Sequence, residues 1–229
     1  HGRLDIGNSS APVRAEFPDL REEVLSKYTD HVVGVDAQPV VVSETIYEAG
    51  VKKISAKTLK AIYKGKITNW MGVPGYRGPP SEIQVVGRAE GSGTDTAFRN
   101  NLFGNPNAPI PGVDIRKGEN QQVKQIVENS DNAIAYMALA FVDESVPAIT
   151  LTFNGTEYVP GKNLAAGGYP LARGLHCYTY GGTSKREAAF LRMVLSEYGQ
   201  RNFVKSVGYS PLTKHRQQEQ LEKLPGPKR

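Results

Sequence analysis

The sequence predicts an α/β protein in which mixed, mostly parallel sheets are flanked by helices. Short apolar runs rich in β-branched residues, such as 40–42 and 83–86, alternate with amphipathic stretches along the chain. This alternation favours parallel strands and places ligand chemistry at strand–helix junctions. A glycine-rich polar loop, residues 87–94, occupies one such junction. A hydrophobic fraction of 39% and a charged fraction of 22% are typical of a globular protein.

The elements follow from local patterns taken in chain order. Apolar runs predict strands, and Asn154-Gly155 is a strong signal for a hairpin turn between two of them. Ser55 predicts a helix start, Leu59 with Tyr63 an apolar face, and Gly65 the end. Strands are predicted at 4–7, 32–35, 40–42, 83–86, 133–137, 148–159 (a hairpin) and 175–180. Helices are predicted at 19–28, 55–64, 94–103, 120–129, 184–198, 200–207 and 213–224.

Composition narrows the possible functions. The net charge of +5 favours anionic partners, but the basic residues form no stripe interleaved with aromatics, so no nucleic-acid partner is predicted. The single cysteine, Cys177, excludes an internal disulfide and a cysteine metal cluster, and we expect it to be a buried strand residue. The four histidines lack ligand spacing, so neither a metal site nor a cofactor is predicted.

The loop at 87–94 is the candidate ligand site. It lies between a short apolar strand and a helix whose first turn offers unpaired N–H groups and a partial positive charge to an anion. Gly91 and Gly93 allow close approach of the backbone, while Ser92 and Thr94 add hydroxyl donors. Arg88 adds a guanidinium that can bind an oxyanion through two hydrogen bonds. The pattern therefore predicts an oxyanion site.

Other interpretations of these residues remain open. Ser92 before a helix is also an ordinary N-cap, which most often binds nothing. The spacing matches neither a nucleotide P-loop nor a dinucleotide-binding fingerprint. Ser9 and Ser10 lie in a polar turn after the strand at 4–7, where an α/β sheet places ligands, but a simple turn is an equal alternative.

Six segments together resemble the phosphate-binding proteins that feed ABC transporters. The loop sequence Arg-Ala-Glu-Gly-Ser-Gly-Thr at 88–94 is similar to the anion loop of that family. Five further segments match in the family's order: 4–12 ("DIG-x-S-x-x-P"), 55–70 ("L-x-x-IY-x-G-x-I-x-x-W"), 133–136 ("GIGY", with alanine at both glycine positions), 169–173 ("YPLxR") and 207–212 ("GYxPL").

The resemblance implies a two-lobed, type II periplasmic-binding-protein fold with the anion between the lobes. Residues 1–37 with 172–229 would form lobe one, and 38–171 would form lobe two, which carries the anion loop. By resemblance, the ligand-binding residues are Ser9, Ser10, Arg88, Ser92, Gly93 and Thr94. Glu90 would orient the arginine and Gly91 would support the loop. No catalytic residue is implied.

Two departures from the family pattern affect the expected site. The family begins with another strand, a loop that donates to the anion and a helix, whereas this sequence starts at His1 just before the strand at 4–7. We therefore expect a truncated or processed N-terminus. Some phosphate-specific members also carry an aspartate where this chain has Ser10, so discrimination between phosphate and sulfate would depend on other residues.

The expected function is capture of inorganic phosphate outside the cytoplasm and delivery to the permease subunits of an ABC transporter. The resemblance implies a non-enzymatic monomer in the periplasm or at the cell surface, with lipid anchoring through a missing N-terminus as one option. One alternative is a binding protein for sulfate or molybdate. Another is an enzyme acting on a phosphorylated substrate, with Glu90 as base. A third, a sensor or nucleic-acid module, would show strongly salt-dependent binding to polyanions.

Overall fold

The computed structural model describes residues 5–160 and 168–226. The chain divides into two compact units. The described part of unit 1 consists of residues 5–36 and 173–226, and that of unit 2 of residues 37–160 and Gly168–Ala172. That two lobes of this chain bind a ligand between them stays a prediction.

Strands and helices alternate along most of unit 2, whereas in unit 1 they occur in small groups. The strands are β1 (Gly7–Ser9), β2 (Tyr28–Ala37), β3 (Val40–Val42), β4 (Lys53–Ser55), β5 (Gln84–Arg88), β6 (Ile115–Lys117), β7 (Ala133–Tyr136), β8 (Thr150–Phe153), β9 (Thr156–Tyr158) and β10 (Ala172–Tyr180). The α-helices are α1 (Val13–Glu16), α2 (Glu22–Leu25), α3 (Glu44–Glu48), α4 (Ala56–Tyr63), α5 (Gly93–Phe103), α6 (Asn120–Glu128), α7 (Lys185–Leu195), α8 (Glu197–Gly199) and α9 (Lys214–Glu222).

Unit 1 contains a three-stranded sheet in the order β1-β10-β2, with β1 antiparallel to β10. Helix α7 has the predicted apolar face, because Ala188, Leu191 and Leu195 are all buried. Its start is fixed by a capping box in which Ser184 and Glu187 satisfy each other's backbone N–H groups. Cys177 lies buried on β10, and burial raises the pKa of its thiol to about 11.

Unit 2 contains a four-stranded sheet in the order β3-β7-β5-β6, and a three-stranded sheet in the order β4-β8-β9. In the larger sheet β5 is parallel to both β6 and β7, whereas β3 is antiparallel to β7. Both faces of this sheet are buried: Val40 and Val42 pack into one hydrophobic cluster and Val41 into another. Such burial explains the continuous apolar run at this strand.

Several predicted elements of unit 2 are confirmed. The Ser55 hydroxyl accepts a hydrogen bond from the Thr58 N–H at 3.0 Å and caps α4, whose Leu59 and Tyr63 are buried. Asn154 and Gly155 connect β8 to β9 with φ angles of 48° and 82°, the left-handed conformation of a tight hairpin turn.

Other predicted elements are wrong in extent or type. The helix expected at 19–28 shrinks to α2, because Tyr28 instead begins β2, where its ring contacts those of Tyr178 and Tyr180. The helix expected at 184–198 breaks at Ser196, which adopts an extended conformation and caps a new short helix through the Gly199 N–H. The segment 200–207 is a π-helical turn followed by a 3₁₀ turn. Of the strand expected at 4–7, Leu4 lies outside the described residues, and Asp5 and Ile6 are not in a strand, because the residues that pair with β10 are Gly7–Ser9.

His31 on β2 makes the stability of unit 1 sensitive to acid. It is fully buried, and within the described residues neither ring nitrogen has a hydrogen-bond partner. Burial, and then the Lys223 ammonium, lower the pKa of His31 below 6.5, although Asp30 opposes them. Because His31 binds a proton more readily in the unfolded state, the free energy of unfolding decreases as the pH falls below about 6.5.

We therefore expect the thermal unfolding midpoint to fall as the pH is lowered through this range. His31→Leu should make this decrease shallower, since the group that binds the proton on unfolding is gone. The control is His215→Gln, because the side chain of His215 is 85% exposed. Equal slopes for wild type and His31→Leu would show that other groups cause the pH dependence. The measurement is circular dichroism on melting across a pH series.

Candidate functional site

The candidate site is built where β5 runs into α5 in unit 2. β5 lies between β6 and β7, so its carboxyl end is at the interior of the sheet. The chain then turns through residues 89–92, with a hydrogen bond from the Ser92 N–H to the Ala89 carbonyl at 3.1 Å. Gly91 has a φ of 76°, which a residue with a side chain rarely adopts. We call residues 88–94 the anion loop.

The anion loop ends in a capped helix start. The Ser92 hydroxyl accepts a hydrogen bond from the Asp95 N–H at 3.2 Å, and the Ser92 carbonyl accepts the Thr96 N–H at 2.9 Å. The N–H groups of Gly93 and Thr94 belong to the first turn, where a helix offers no internal acceptor. Ser92 is therefore an N-cap, as one interpretation of the sequence expected, and its hydroxyl proton remains available to a ligand.

Arg88 is the cation at the end of β5, and it is only 6% exposed. Its Nη1 donates to Thr94 Oγ1 at 3.1 Å and to Asn120 Oδ1 at 2.6 Å. Its other guanidinium nitrogens donate to the carbonyls of Lys117 and Gly118. These bonds hold the guanidinium beside the hydroxyl of Thr94. The acceptors belong to α5, to the end of β6 and the residue after it, and to α6. The predicted residues Arg88, Ser92, Gly93 and Thr94 thus lie together.

Four charged side chains of the anion loop, α5 and β6 form an ion-pair cluster: Glu90, Asp95, Arg99 and Arg116. Asp95 is 2% exposed and pairs with Arg99 Nε at 2.8 Å and with Arg116 Nη1 at 3.5 Å. Glu90 pairs with Arg99 Nη2 at 3.2 Å and with Arg116 Nη2 at 3.5 Å. The carboxylate of Glu90 therefore contacts Arg99 and Arg116, and its expected role in orienting Arg88 stays a prediction.

Tyr136 connects this cluster to the backbone of the anion loop. Its hydroxyl accepts the Arg88 N–H at 3.2 Å and donates to Asp95 Oδ1 at 2.8 Å. Its ring stacks on Phe98 with a centroid distance of 3.7 Å and an interplanar angle of 4°. Burial, and then the charge of Asp95, raise the pKa of Tyr136 well above its usual value, so the hydroxyl stays protonated.

Ser9 and Ser10, the other predicted ligands, lie in unit 1. Ser9 ends β1, and its hydroxyl accepts the Ala11 N–H at 3.1 Å, which stabilises the polar turn. Both side chains are half-buried. Because they belong to a different unit from the anion loop, their participation in the same site stays a prediction.

Sequence reasoning missed Arg116, Asn120 and Tyr136. Arg116 is the middle residue of β6, Asn120 lies just beyond the carboxyl end of β6, and Tyr136 is the last residue of β7; these strands flank β5. The carboxyl ends of parallel strands meet at one edge of a sheet, so their polar residues were candidates once the strand order was known.

Within residues 5–160 and 168–226, no group of three or more histidine, cysteine, aspartate or glutamate residues is placed to hold a metal ion.

Comparison with known proteins identifies the family. The family model of the PBP superfamily domain matches residues 1–197. The chain belongs to the PBP superfamily. Within the described residues of this superfamily member, no helix has the length and apolar character that crossing a membrane requires.

Relatives of this PBP-superfamily protein include several phosphate-binding proteins. It is 32% identical to the phosphate-binding protein PstS of Bacillus subtilis over an alignment of 214 residues. This alignment covers 93% of this chain and 66% of the relative. It is 28% identical to PstS of Pseudomonas aeruginosa, over 92% of this chain and 69% of that protein. The chain thus spans about two-thirds of the length of these relatives. The resemblance found in the sequence motifs is confirmed.

Solved structures agree with the predicted fold. A candidate phosphate ABC transporter substrate-binding protein from Clostridium perfringens, crystallised with bound phosphate, superimposes with a TM-score of 0.67 at 26% identity, covering 93% of this chain and 81% of that chain. An ABC-type phosphate transport receptor from Vibrio cholerae gives a TM-score of 0.68 at 24% identity, covering 91% and 80%. The predicted α/β, type II periplasmic-binding-protein fold is confirmed.

Proposed function

We propose that this protein captures inorganic phosphate outside the cytoplasm and delivers it to the permease subunits of an ABC transporter. The observation that carries the proposal is the anion loop, in which Arg88, Thr94 and the first turn of α5 converge. The named relatives in Bacillus subtilis and Pseudomonas aeruginosa are phosphate-binding proteins, and the protein from Clostridium perfringens was crystallised with bound phosphate.

The loop offers donors suited to a tetrahedral oxyanion. The N–H groups of Gly93 and Thr94 and the positive end of the α5 dipole attract negative charge. The Ser92 and Thr94 hydroxyl oxygens already accept hydrogen bonds from Asp95 and Arg88, so their own protons can be donated to the ligand. Arg88 adds a charge-assisted hydrogen bond. Every one of these groups is a donor, as an anion requires.

In this proposal Ser9 and Ser10 of unit 1, which the resemblance assigns to lobe one, add hydroxyl donors to the phosphate. Closure of the lobes around phosphate would exclude water and so strengthen each hydrogen bond to the anion. In this proposal the protein acts as a monomer in the periplasm or at the cell surface, and it releases phosphate unchanged. Lipid anchoring is an additional option for attachment to the membrane.

The enzyme alternative finds less support in the site geometry. Its proposed base, Glu90, is held by two guanidinium groups in the ion-pair cluster. A carboxylate in such a network is oriented for a structural role, and no nucleophile stands beside it among its described contacts. Turnover of a chromogenic phosphate ester by the purified chain would overturn the proposal of binding without catalysis.

The proposal is tested by isothermal titration of the anion-free chain with phosphate, sulfate and molybdate in parallel. The protein is first unfolded, dialysed and refolded to remove any bound anion. We expect phosphate to bind with a dissociation constant in the micromolar range or below, and sulfate to bind more weakly. Preference for sulfate or molybdate would retain the fold and change the ligand. Failure of all three anions to bind would contradict an oxyanion-binding function for this chain.

A further inference from the structure

Arg116 lies on β6, next to the strand that carries Arg88, and contacts the anion loop at two points and Asp95 of α5 at a third. Its Nη1 donates to the Arg88 carbonyl at 3.2 Å and lies 3.5 Å from Asp95 Oδ1. Its Nη2 lies 3.5 Å from Glu90 Oε1. The side chain is 28% exposed, so it reaches from the solvent edge into the cluster. Arg116 thus joins the strand end, the loop and the helix.

The ion-pair cluster of Glu90, Asp95, Arg99 and Arg116 is electrically balanced only if Arg116 is present. The titratable groups that face it are Arg88 and Glu90 from the loop, Asp95 and Arg99 from α5, and two tyrosines that stay neutral, Tyr136 from β7 and Tyr63 from α4. In the ion-pair cluster two guanidinium groups face two carboxylates. Without Arg116, the two carboxylates would share Arg99, and the cluster would carry one net negative charge.

Negative charge at this place acts on the ligand in proportion to the ligand's own charge. Coulomb energy scales with the product of the two charges, so a doubly charged anion is opposed twice as strongly as a singly charged one. The two carboxylates are part of the site region itself, since Glu90 belongs to the anion loop and Asp95 to the first turn of α5. Compensation of these carboxylates therefore matters most for the dianion.

We propose that Arg116 is a specificity-determining positioning residue, which keeps the carboxylates of Glu90 and Asp95 compensated and so allows the site to accept doubly charged phosphate. This inference rests on the proposed function, because it assigns a role within phosphate binding. Arg116 acts through Glu90 and Asp95, whereas Arg88 and the first turn of α5 face the ligand.

The test compares phosphate affinity of Arg116→Met and wild type below and above the second ionisation of phosphate, at about pH 6 and about pH 8. The matched control is Arg77→Met, which removes the same charge from an exposed position of unit 2. Titrations are made at low ionic strength, because salt screens charges near the surface. The fluorescence of Trp70, the single tryptophan and a fully buried residue, confirms that each variant is folded.

We expect Arg116→Met to weaken phosphate binding roughly threefold at the lower pH and roughly tenfold at the higher pH, since the penalty doubles on a logarithmic scale for the dianion. Arg77→Met should match wild type at both. Glu90→Gln should have the opposite effect and favour the dianion. The double variant Glu90→Gln with Arg116→Met restores charge balance, so its ratio of affinities at the two pH values should return toward that of wild type.

A structural role alone would produce a different pattern. If Arg116→Met weakens binding equally at both pH values and Glu90→Gln gives no recovery in the double variant, the specificity role is wrong. The same conclusion follows if Arg116→Met binds like Arg77→Met. If Arg116→Met fails to fold, the single variant Glu90→Gln decides, because an unchanged ratio of affinities in it overturns the inference. If wild type binds no phosphate at either pH, the proposed function fails as well.

Discussion

Replacement of Arg88 by methionine is expected to weaken phosphate binding at least about 100-fold, or roughly 3 kcal/mol. The guanidinium is 6% exposed, so its contribution is little screened by solvent. It also donates to Thr94 Oγ1 at 3.1 Å, which orients the hydroxyl that we propose as a second donor. Loss of Arg88 therefore removes a charge-assisted hydrogen bond and loosens a neighbouring one. Isothermal titration with phosphate measures the effect.

Two further variants separate charge from geometry in this experiment. Arg88→Lys keeps the positive charge but loses the planar fork that also reaches Asn120 and Gly118, so we expect an intermediate loss of affinity. Arg77→Met controls for the net charge of the chain. If Arg88→Met binds phosphate within about threefold of wild type, a loss of less than about 0.7 kcal/mol, then Arg88 is not the principal cation of the site.

Local signals in the sequence were sufficient for the strand–loop–helix at the centre of unit 2. The apolar run at 83–86, the glycines and the capping serine lie within one short segment, and each acts on its near neighbours. Ser184 and Glu187 likewise fix α7 through a local capping box. Predictions of secondary structure were wrong where a segment distant in the sequence determines the conformation. Tyr28, for example, begins a strand that pairs with β10 instead of continuing a helix.

In the candidate site, too, local sequence signals predicted some residues, whereas contacts between distant segments could not be predicted. Arg88, Ser92 and Thr94 were predicted because they lie within one loop. Arg116 and Tyr136 come from strands later in the chain, and they join the site only because β6 and β7 flank β5. The ion pair between Glu90 and Arg116 could not be predicted either, since several arginines were available and only the strand order brings Arg116 to 3.5 Å from Glu90.

The second large effect is on stability and concerns Arg99. Its side chain is 9% exposed and its Nε lies 2.8 Å from Asp95 Oδ2, while Nη1 donates to the Ala108 carbonyl at 3.2 Å. Arg99→Met would leave the carboxylate of Asp95, which is 2% exposed, with its closest ion pair removed. Removal of one member of a buried ion pair costs about 3–5 kcal/mol. We expect a loss of unfolding free energy of about that size in urea, followed by Trp70 fluorescence.

The origin of this cost can be measured with a second substitution. Most of it arises because a buried carboxylate loses its compensating charge, so Asp95→Asn should recover part of the lost stability when combined with Arg99→Met. The amide oxygen of asparagine can still accept the hydrogen bond that the Tyr136 hydroxyl donates to Asp95 at 2.8 Å. Lys53→Met, which breaks the exposed pair with Glu157, should leave the urea midpoint almost unchanged. If the double variant is as unstable as the sum of the two single variants, loss of packing around the Arg99 side chain, rather than an uncompensated charge, destabilises the protein.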